Sequence, residues 1–126
     1  MKQYITLIII FICFIGISQG CTFVDPMTRA QNHSQKGEFP KAIKILENEL
    51  KLNPDSVPIK TLLAQAYSDY GLALCQDQNK PPKVKYPMAK ENFVKALALN
   101  PNLEDAKQMY KMIEEIQASL EANNKS

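Results

Sequence analysis

Residues 39–54 read FPKAIKILENELKLNP, and residues 86–101 read YPMAKENFVKALALNP. Both stretches begin with an aromatic residue and a proline, carry an alanine three residues after the aromatic, and end in Leu-x-Leu-Asn-Pro. A stretch that recurs in this way is typical of proteins built from stacked copies of one small unit, because each copy buries its apolar face against the next. In both copies the apolar residues recur at three- and four-residue intervals, which is the spacing of an α-helix. The doubled stretch therefore predicts an all-α repeat fold.

Apolar spacing and helix-ending residues divide the chain into about five helices. Prolines stand where a first helical turn accepts them, and an Asn-Pro pair ends each repeated helix. The predicted helices cover about residues 26–36, 39–52, 56–75, 87–99 and 103–121. The polar run QDQNKPPKVK at 76–85 is predicted to be a loop. The chain thus divides into a tether at 21–25, a helical domain at 26–121 and a frayed tail at 122–126.

The third predicted helix carries a stripe of small residues beside its large apolar ones: Ala64, Ser68, Gly71 and Cys75. Small side chains let a neighbouring helix approach closely, so we expect tight helix packing along this stripe. Cys75 is therefore interpreted as a small packing residue, with a reactive thiol as the alternative.

The N-terminus is predicted to be a targeting segment. Lys2 supplies a positive start, residues 5–17 (ITLIIIFICFIGI) are apolar, and small and polar residues follow before Cys21. This is the layout of a secretory signal peptide, here residues 1–20. The apolar run is shorter than the ~20 residues that a membrane-spanning helix needs. An uncleaved anchor is the alternative, because no charged residue occurs between Lys2 and Asp25.

Gly20 followed by Cys21 resembles the lipobox of bacterial lipoproteins. The resemblance implies cleavage before Cys21, lipidation of its thiol and firm attachment to a membrane of the cell envelope. Ser18 and Gln19 depart from the usual pattern, so an ordinary signal and a secreted or soluble periplasmic protein are the alternative. Thr22 stands where enteric lipoproteins of the inner membrane carry Asp. In a Gram-negative host, this implies the outer membrane, facing the periplasm.

Composition argues against several classes of function. The formal net charge is only +2, so no overall field favours nucleic acid. The chain has a single histidine, His33, and three cysteines without a Cys-x-x-Cys pair, which supports neither a metal site nor a disulfide framework. No glycine-rich phosphate loop or nucleophile motif is present. We therefore expect no catalytic residues, no cofactor and no metal, and we interpret His33 as a packing residue in an aromatic's place.

A second repeat precedes the doubled stretch, since three residues recur after 34 positions (30 to 64): Ala30, His33 and Gly37 return as Ala64, Tyr67 and Gly71. Together with the run Ala-x-x-x-Phe-x-x-Ala-Leu-x-Leu-Asn-Pro, this resembles the tetratricopeptide repeat (TPR), a 34-residue helix-turn-helix. The doubled stretches themselves are 47 residues apart (54 to 101), so the segment at 76–85 is interpreted as an insertion. A 47-residue period also suits HEAT-type repeats, but the 34-residue period and the motif favour TPR.

The TPR resemblance implies a right-handed stack in which the first helix of each pair lines a concave, partner-binding groove. The matching groove positions are Met27, Gln31, Leu62, Asp105 and Met109. None suits a carboxylate, so we expect an apolar or mixed partner surface rather than a carboxylate clamp. A second candidate surface, for an acidic partner or lipid headgroups, consists of Lys80, Lys83 and Lys85. The alternative interpretation is a solvated basic loop.

These features predict an envelope-anchored binding module or scaffold whose partner is a protein or peptide. The alternative is an accessory structural subunit of one membrane complex, held by lipid on Cys21 or by an uncleaved N-terminal segment. About two and a half repeats is near the minimum that stacks stably. We therefore expect a partner, or a second copy of the chain in a homodimer, to complete one face.

Intact mass spectrometry of the protein extracted from membranes tests the N-terminal prediction. We expect a chain that begins at Cys21 and carries lipid, because two or more acyl chains give stable attachment where one does not. A mature chain without lipid mass would contradict the lipoprotein assignment, and a chain that still begins at Met1 would favour the uncleaved anchor.

Overall fold

The computed structural model describes residues 24–123, which form five α-helices and contain no β-strand. The predicted all-α class is therefore confirmed for this part of the chain. The helices are α1 (Pro26–Gln35), α2 (Phe39–Leu52), α3 (Val57–Gln76), α4 (Pro82–Leu99) and α5 (Glu104–Asn123). The predicted signal peptide, the predicted lipidation site Cys21 and the last residues of the predicted tail lie outside the described residues.

Capping residues and a glycine turn begin and end several helices close to the positions that the sequence predicts. The Asp25 side chain accepts the backbone N–H of Thr28 at the start of α1, at 3.3 Å. Gly37 has a φ of 74°, a left-handed conformation that glycine adopts without strain, and it turns the chain from α1 into α2. Asn53 and Asn100 cap α2 and α4, and each donates its backbone N–H to a carbonyl of the last helical turn.

The connection between α3 and α4 differs from the prediction. The helix expected to begin near Pro87 begins at Pro82, so the predicted loop at 76–85 shrinks to 77–81. Proline is favourable in a first turn, and the Pro81 carbonyl accepts the N–H groups three and four residues ahead, at 2.9 and 3.0 Å. Pro87 lies inside the helix just past that turn, where it removes one main-chain hydrogen bond. Residues 82–85 of the predicted loop therefore extend α4 at its start, and a shorter connection remains.

The helices pack around α3, which contacts each of the other four. Helix α1 contacts α3 and α3 contacts α5, so the odd-numbered helices form one row. Helices α2 and α4 contact that row but not each other. The doubled stretch supplies equivalent core positions in α2 and α4, each at most 2% exposed: Ala42 and Ala89, Leu46 and Phe93.

Helices α3 and α4 approach closely at Gly71. A Cβ added to Gly71 would lie 2.9 Å from Cζ of Phe93, so the aromatic ring rests directly on the glycine backbone. Phe93 is completely buried, and Ala64 and Ser68 of the predicted small stripe are buried as well. Cys75 is half-buried at the far end of the stripe. The predicted tight packing is therefore confirmed at Gly71.

Helix α5 ends the row, and its fully buried residues are Ala106 and Ile113. The rest of its surface is largely exposed. Of the helices formed by residues 24–123, none combines the length and apolar character needed to cross a membrane.

Replacing Gly71 with valine should lower the free energy of unfolding by about 1–3 kcal/mol, because the added methyl groups would collide with the buried Phe93 ring. The matched control is Leu72→Val at the neighbouring exposed position, which should change stability by no more than about 0.5 kcal/mol. Urea denaturation followed by circular dichroism measures both. Equal losses in the two variants would contradict a close helix contact at Gly71.

Candidate functional site

An open groove of about 320 Å³ lies between α1 and α3. Its apolar floor is formed by residues of α2 and α3: Leu46, Leu62 and Ala66. Its polar walls are formed by residues of α1 and α3: Gln31, Ser34, Gln35, Gln65 and Asp69. We call this site the α1/α3 groove. Two of the five predicted groove residues, Gln31 and Leu62, come together in it.

Helical spacing places the polar groups of the groove in two facing rows. Gln31 and Gln35 are four residues apart on α1, and Gln65 and Asp69 are four apart on α3, so each pair lies on one helix face. Gln65 Nε2 donates a hydrogen bond to Asp69 Oδ1 at 2.8 Å. Within the described chain, the side chains of Gln31, Ser34 and Gln35 have no hydrogen-bond partner. The groove therefore offers both donors and acceptors to a ligand.

The other three predicted groove residues do not line this groove. Met27 and Met109 are partly buried and pack against the hydrophobic core. Asp105 is exposed in the first turn of α5. The flexible methionine side chains turn towards apolar neighbours, which is their usual behaviour beside a core.

The three lysines of the predicted loop have different neighbours in the structure. Lys80 pairs with Asp77 at 2.5 Å, and Lys85 Nζ donates to the Asp77 backbone carbonyl at 3.3 Å. The hydrogen bond from Lys80 lowers the pKa of the Asp77 carboxyl. Lys83 instead belongs to α4, where it lines a separate cleft against the end of α5. Two of the three cations are therefore already engaged.

A larger cleft of about 490 Å³ lies between α2 and α4, over α3. The buried Tyr67 in its wall donates a hydrogen bond from its hydroxyl to Glu47. Burial and this hydrogen bond raise the pKa of the Tyr67 hydroxyl. Lys95 Nζ lies 5.6 Å from the centroid of the Tyr67 ring and pairs with Glu91 at 2.7 Å.

This α2/α4 cleft was not predicted from the sequence. Helical spacing marks Tyr67 as a core residue, but it does not reveal that α2 and α4 stay apart above it. The Tyr67 hydroxyl and the Lys95 ammonium are bound to neighbouring side chains. Three of the five polar side chains that line the α1/α3 groove, by contrast, have no hydrogen-bond partner in the described chain. The α1/α3 groove is therefore the better candidate binding site.

His33 stabilises the turn between α1 and α2. It is half-buried, and its Nδ1 lies 2.6 Å from Oε2 of Glu38. Lys41 Nζ donates to the other oxygen of the same carboxylate at 2.5 Å. The hydrogen bond from Lys41, and then that from His33, lowers the pKa of Glu38 to about 2. His33, which the sequence predicted to be a packing residue, thus also forms a hydrogen bond that links the end of α1 to the start of α2.

No group of three or more His, Cys, Asp or Glu side chains within residues 24–123 is arranged to hold a metal ion. Cys75 has no disulfide partner in this part of the chain. Burial raises the pKa of its thiol, which keeps the thiol in its less reactive protonated form.

Comparison with protein-family models, with curated proteins and with solved structures found no match to this chain. Its function must therefore be inferred from the α1/α3 groove and the sequence features described above.

The Glu38 contacts predict an acid-sensitive contribution to stability. Because the folded pKa of Glu38 is lowered to about 2 from 4.5, its bonds stabilise the fold fully above pH 4.5. That contribution is lost as pH falls towards 2, when the carboxylate takes up a proton. Chemical denaturation of the wild type and of Glu38→Gln between pH 7 and pH 2 measures it. The stability difference between the two proteins should stay constant down to about pH 4.5 and shrink below it. A difference that does not change across this range would contradict the assignment.

Proposed function

We propose that this protein is an envelope-anchored binding module that holds a protein or peptide partner in the α1/α3 groove. The observation that carries the proposal is the groove itself. Its apolar floor lies between two rows of polar side chains, most of which have no hydrogen-bond partner within the described chain. An apolar floor with a few polar groups is the usual composition of a binding site. Amide side chains donate and accept at once, so they suit a peptide main chain.

The arrangement of the helices supports a TPR-like stack as the framework. The row formed by α1, α3 and α5, with α2 and α4 packed against it, agrees with stacked helix pairs. The repeated core positions in α2 and α4 agree with two copies of one unit. In such a stack the α1/α3 groove lies on the row of first helices, the surface that TPR-like modules offer to partners.

Binding is proposed in preference to catalysis because of the groups present. The groove offers amides, one hydroxyl and one carboxylate. The Ser34 hydroxyl has no base within hydrogen-bonding distance among the described residues, so no activated nucleophile is formed there. Attachment to the envelope is part of the proposal, and the signal-like segment at 1–20 and the lipobox-like Cys21 support it.

Site-specific photo-crosslinking in cells of the source organism tests this function. A photoreactive side chain placed at Gln65, in the groove, should give crosslinks to one or more envelope proteins. The matched control is Asn48, an exposed polar residue on α2 away from the groove, which should give none of these products. Equal crosslinking at both positions, or none at Gln65, would contradict partner binding in the groove.

The same experiment separates the adaptor from the accessory subunit. Several products from Gln65 indicate an adaptor or scaffold. A single product in a fixed ratio to the protein indicates an accessory subunit of one membrane complex. Mass spectrometry of the products identifies the partner in either case.

A further inference from the structure

The α1/α3 groove contains one charged residue among those that line it, Asp69. This carboxylate is half-buried and accepts one hydrogen bond, from Gln65 Nε2 to its Oδ1. No lysine or arginine of the described chain forms an ion pair with it. Its second oxygen therefore remains available as an acceptor for a ligand.

Asp69 differs in this respect from several other carboxylates of the protein. Lysine ion pairs engage five of them within residues 24–123: Glu38, Asp77, Glu91, Glu104 and Glu114. Asp69 shares the lack of a lysine pair with seven other carboxylates of the described chain, none of which lines the α1/α3 groove: Asp25, Glu47, Glu49, Asp55, Asp105, Glu115 and Glu121. What distinguishes Asp69 is therefore its place in the groove. The groove, by contrast, presents its carboxylate beside neutral amides and an apolar floor. A charge in such a setting is screened less than one on the open surface, so it selects strongly between ligand charges.

The remaining walls indicate the shape of the ligand. Gln31 and Gln35 face Gln65 across the groove, and the floor of Leu46, Leu62 and Ala66 lies between them. Amides in two rows suit the donors and acceptors of an extended main chain, and the floor suits an apolar side chain. An acidic side chain or a C-terminal carboxylate would meet Asp69 with no cation in the groove to offset the repulsion.

We propose that the α1/α3 groove binds an extended segment of a partner protein that places a lysine or arginine on Asp69, next to an apolar side chain on the floor. This inference rests on the proposed function, because it names the chemistry of the partner that the same groove holds. A lysine ammonium or an arginine guanidinium would donate to the free Asp69 oxygen, forming a charge-assisted hydrogen bond.

A random dodecapeptide display library, selected on the full-length protein in detergent micelles, provides the probe. Enriched peptides should share a lysine or arginine beside an apolar residue. Fluorescence polarisation then measures their affinity for the wild type and for Asp69→Asn. This variant should bind about tenfold more weakly or worse, since a hydrogen bond between charged groups is replaced by one to a neutral amide.

The matched control is Asp55→Asn, which removes the same charge from an exposed turn and should change the affinity less than about twofold. A charge exchange gives a second test. Asp69→Lys should lose the cationic peptide and bind the same peptide with glutamate in place of its cation. Thermal melting of each variant checks that it folds, and the near-isosteric asparagine introduced by Asp69→Asn can still accept from Gln65.

Two outcomes would overturn the inference, and they differ in what they imply for the proposed function. Enriched peptides that lose affinity with Gln31→Trp, which fills the groove, but not with Asp69→Asn would refute the cation preference alone. If no peptide is enriched, or if Gln31→Trp leaves binding intact, the groove does not bind peptides and the proposed function fails with the inference.

Discussion

The contact between the Phe93 ring and the backbone of Gly71 lies at the centre of the close packing of α3 and α4. It fixes α4 directly against α3, the helix that all the others touch. With α4 held there, α5 packs against α4 and α3 and buries Ala106 and Ile113 in the common core. The other side of α3 is left for α1 and α2. A side chain at position 71 would push α4 outward and loosen this whole arrangement.

The α1/α3 groove follows from the weakness of α1 as a packing element. Ala30 is its one fully buried residue, and the polar side chains around it do not enter the core. The small alanine brings α1 close to its neighbours, while Gln31 and Gln35 stay at the surface. Leu46 of α2 then closes the bottom of the gap. Because α1 contributes little to the core, its polar side chains are free to line the groove.

Charge pairing shapes the surface more than the fold. Each exposed pair contributes only about 0–1 kcal/mol, so none of them decides how the helices stack. They do decide which lysines remain unpaired at the surface. Asp77, for example, forms an ion pair with Lys80, and its backbone carbonyl accepts a hydrogen bond from Lys85. Of the three lysines in the predicted loop, Lys83 and Lys85 belong to α4, while Lys80 lies in the short connection at 77–81. In the α1/α3 groove, Asp69 forms no ion pair and lies beside the amide side chains.

The order of residues was enough to predict the all-α class, four helix starts within a residue or two, and the core positions of the doubled stretch. These features depend on interactions between near neighbours: proline in a first turn, glycine after a helix, and apolar residues on one helical face. It also indicated the close packing at Gly71, because a stripe of small residues is visible in one dimension. Contacts between helices were needed to establish that Gln31 and Leu62 share a groove, that Met27 and Met109 turn to the core, and that Asp69 forms no ion pair. Each of these depends on distances between helices, which the order of residues within one helix does not specify.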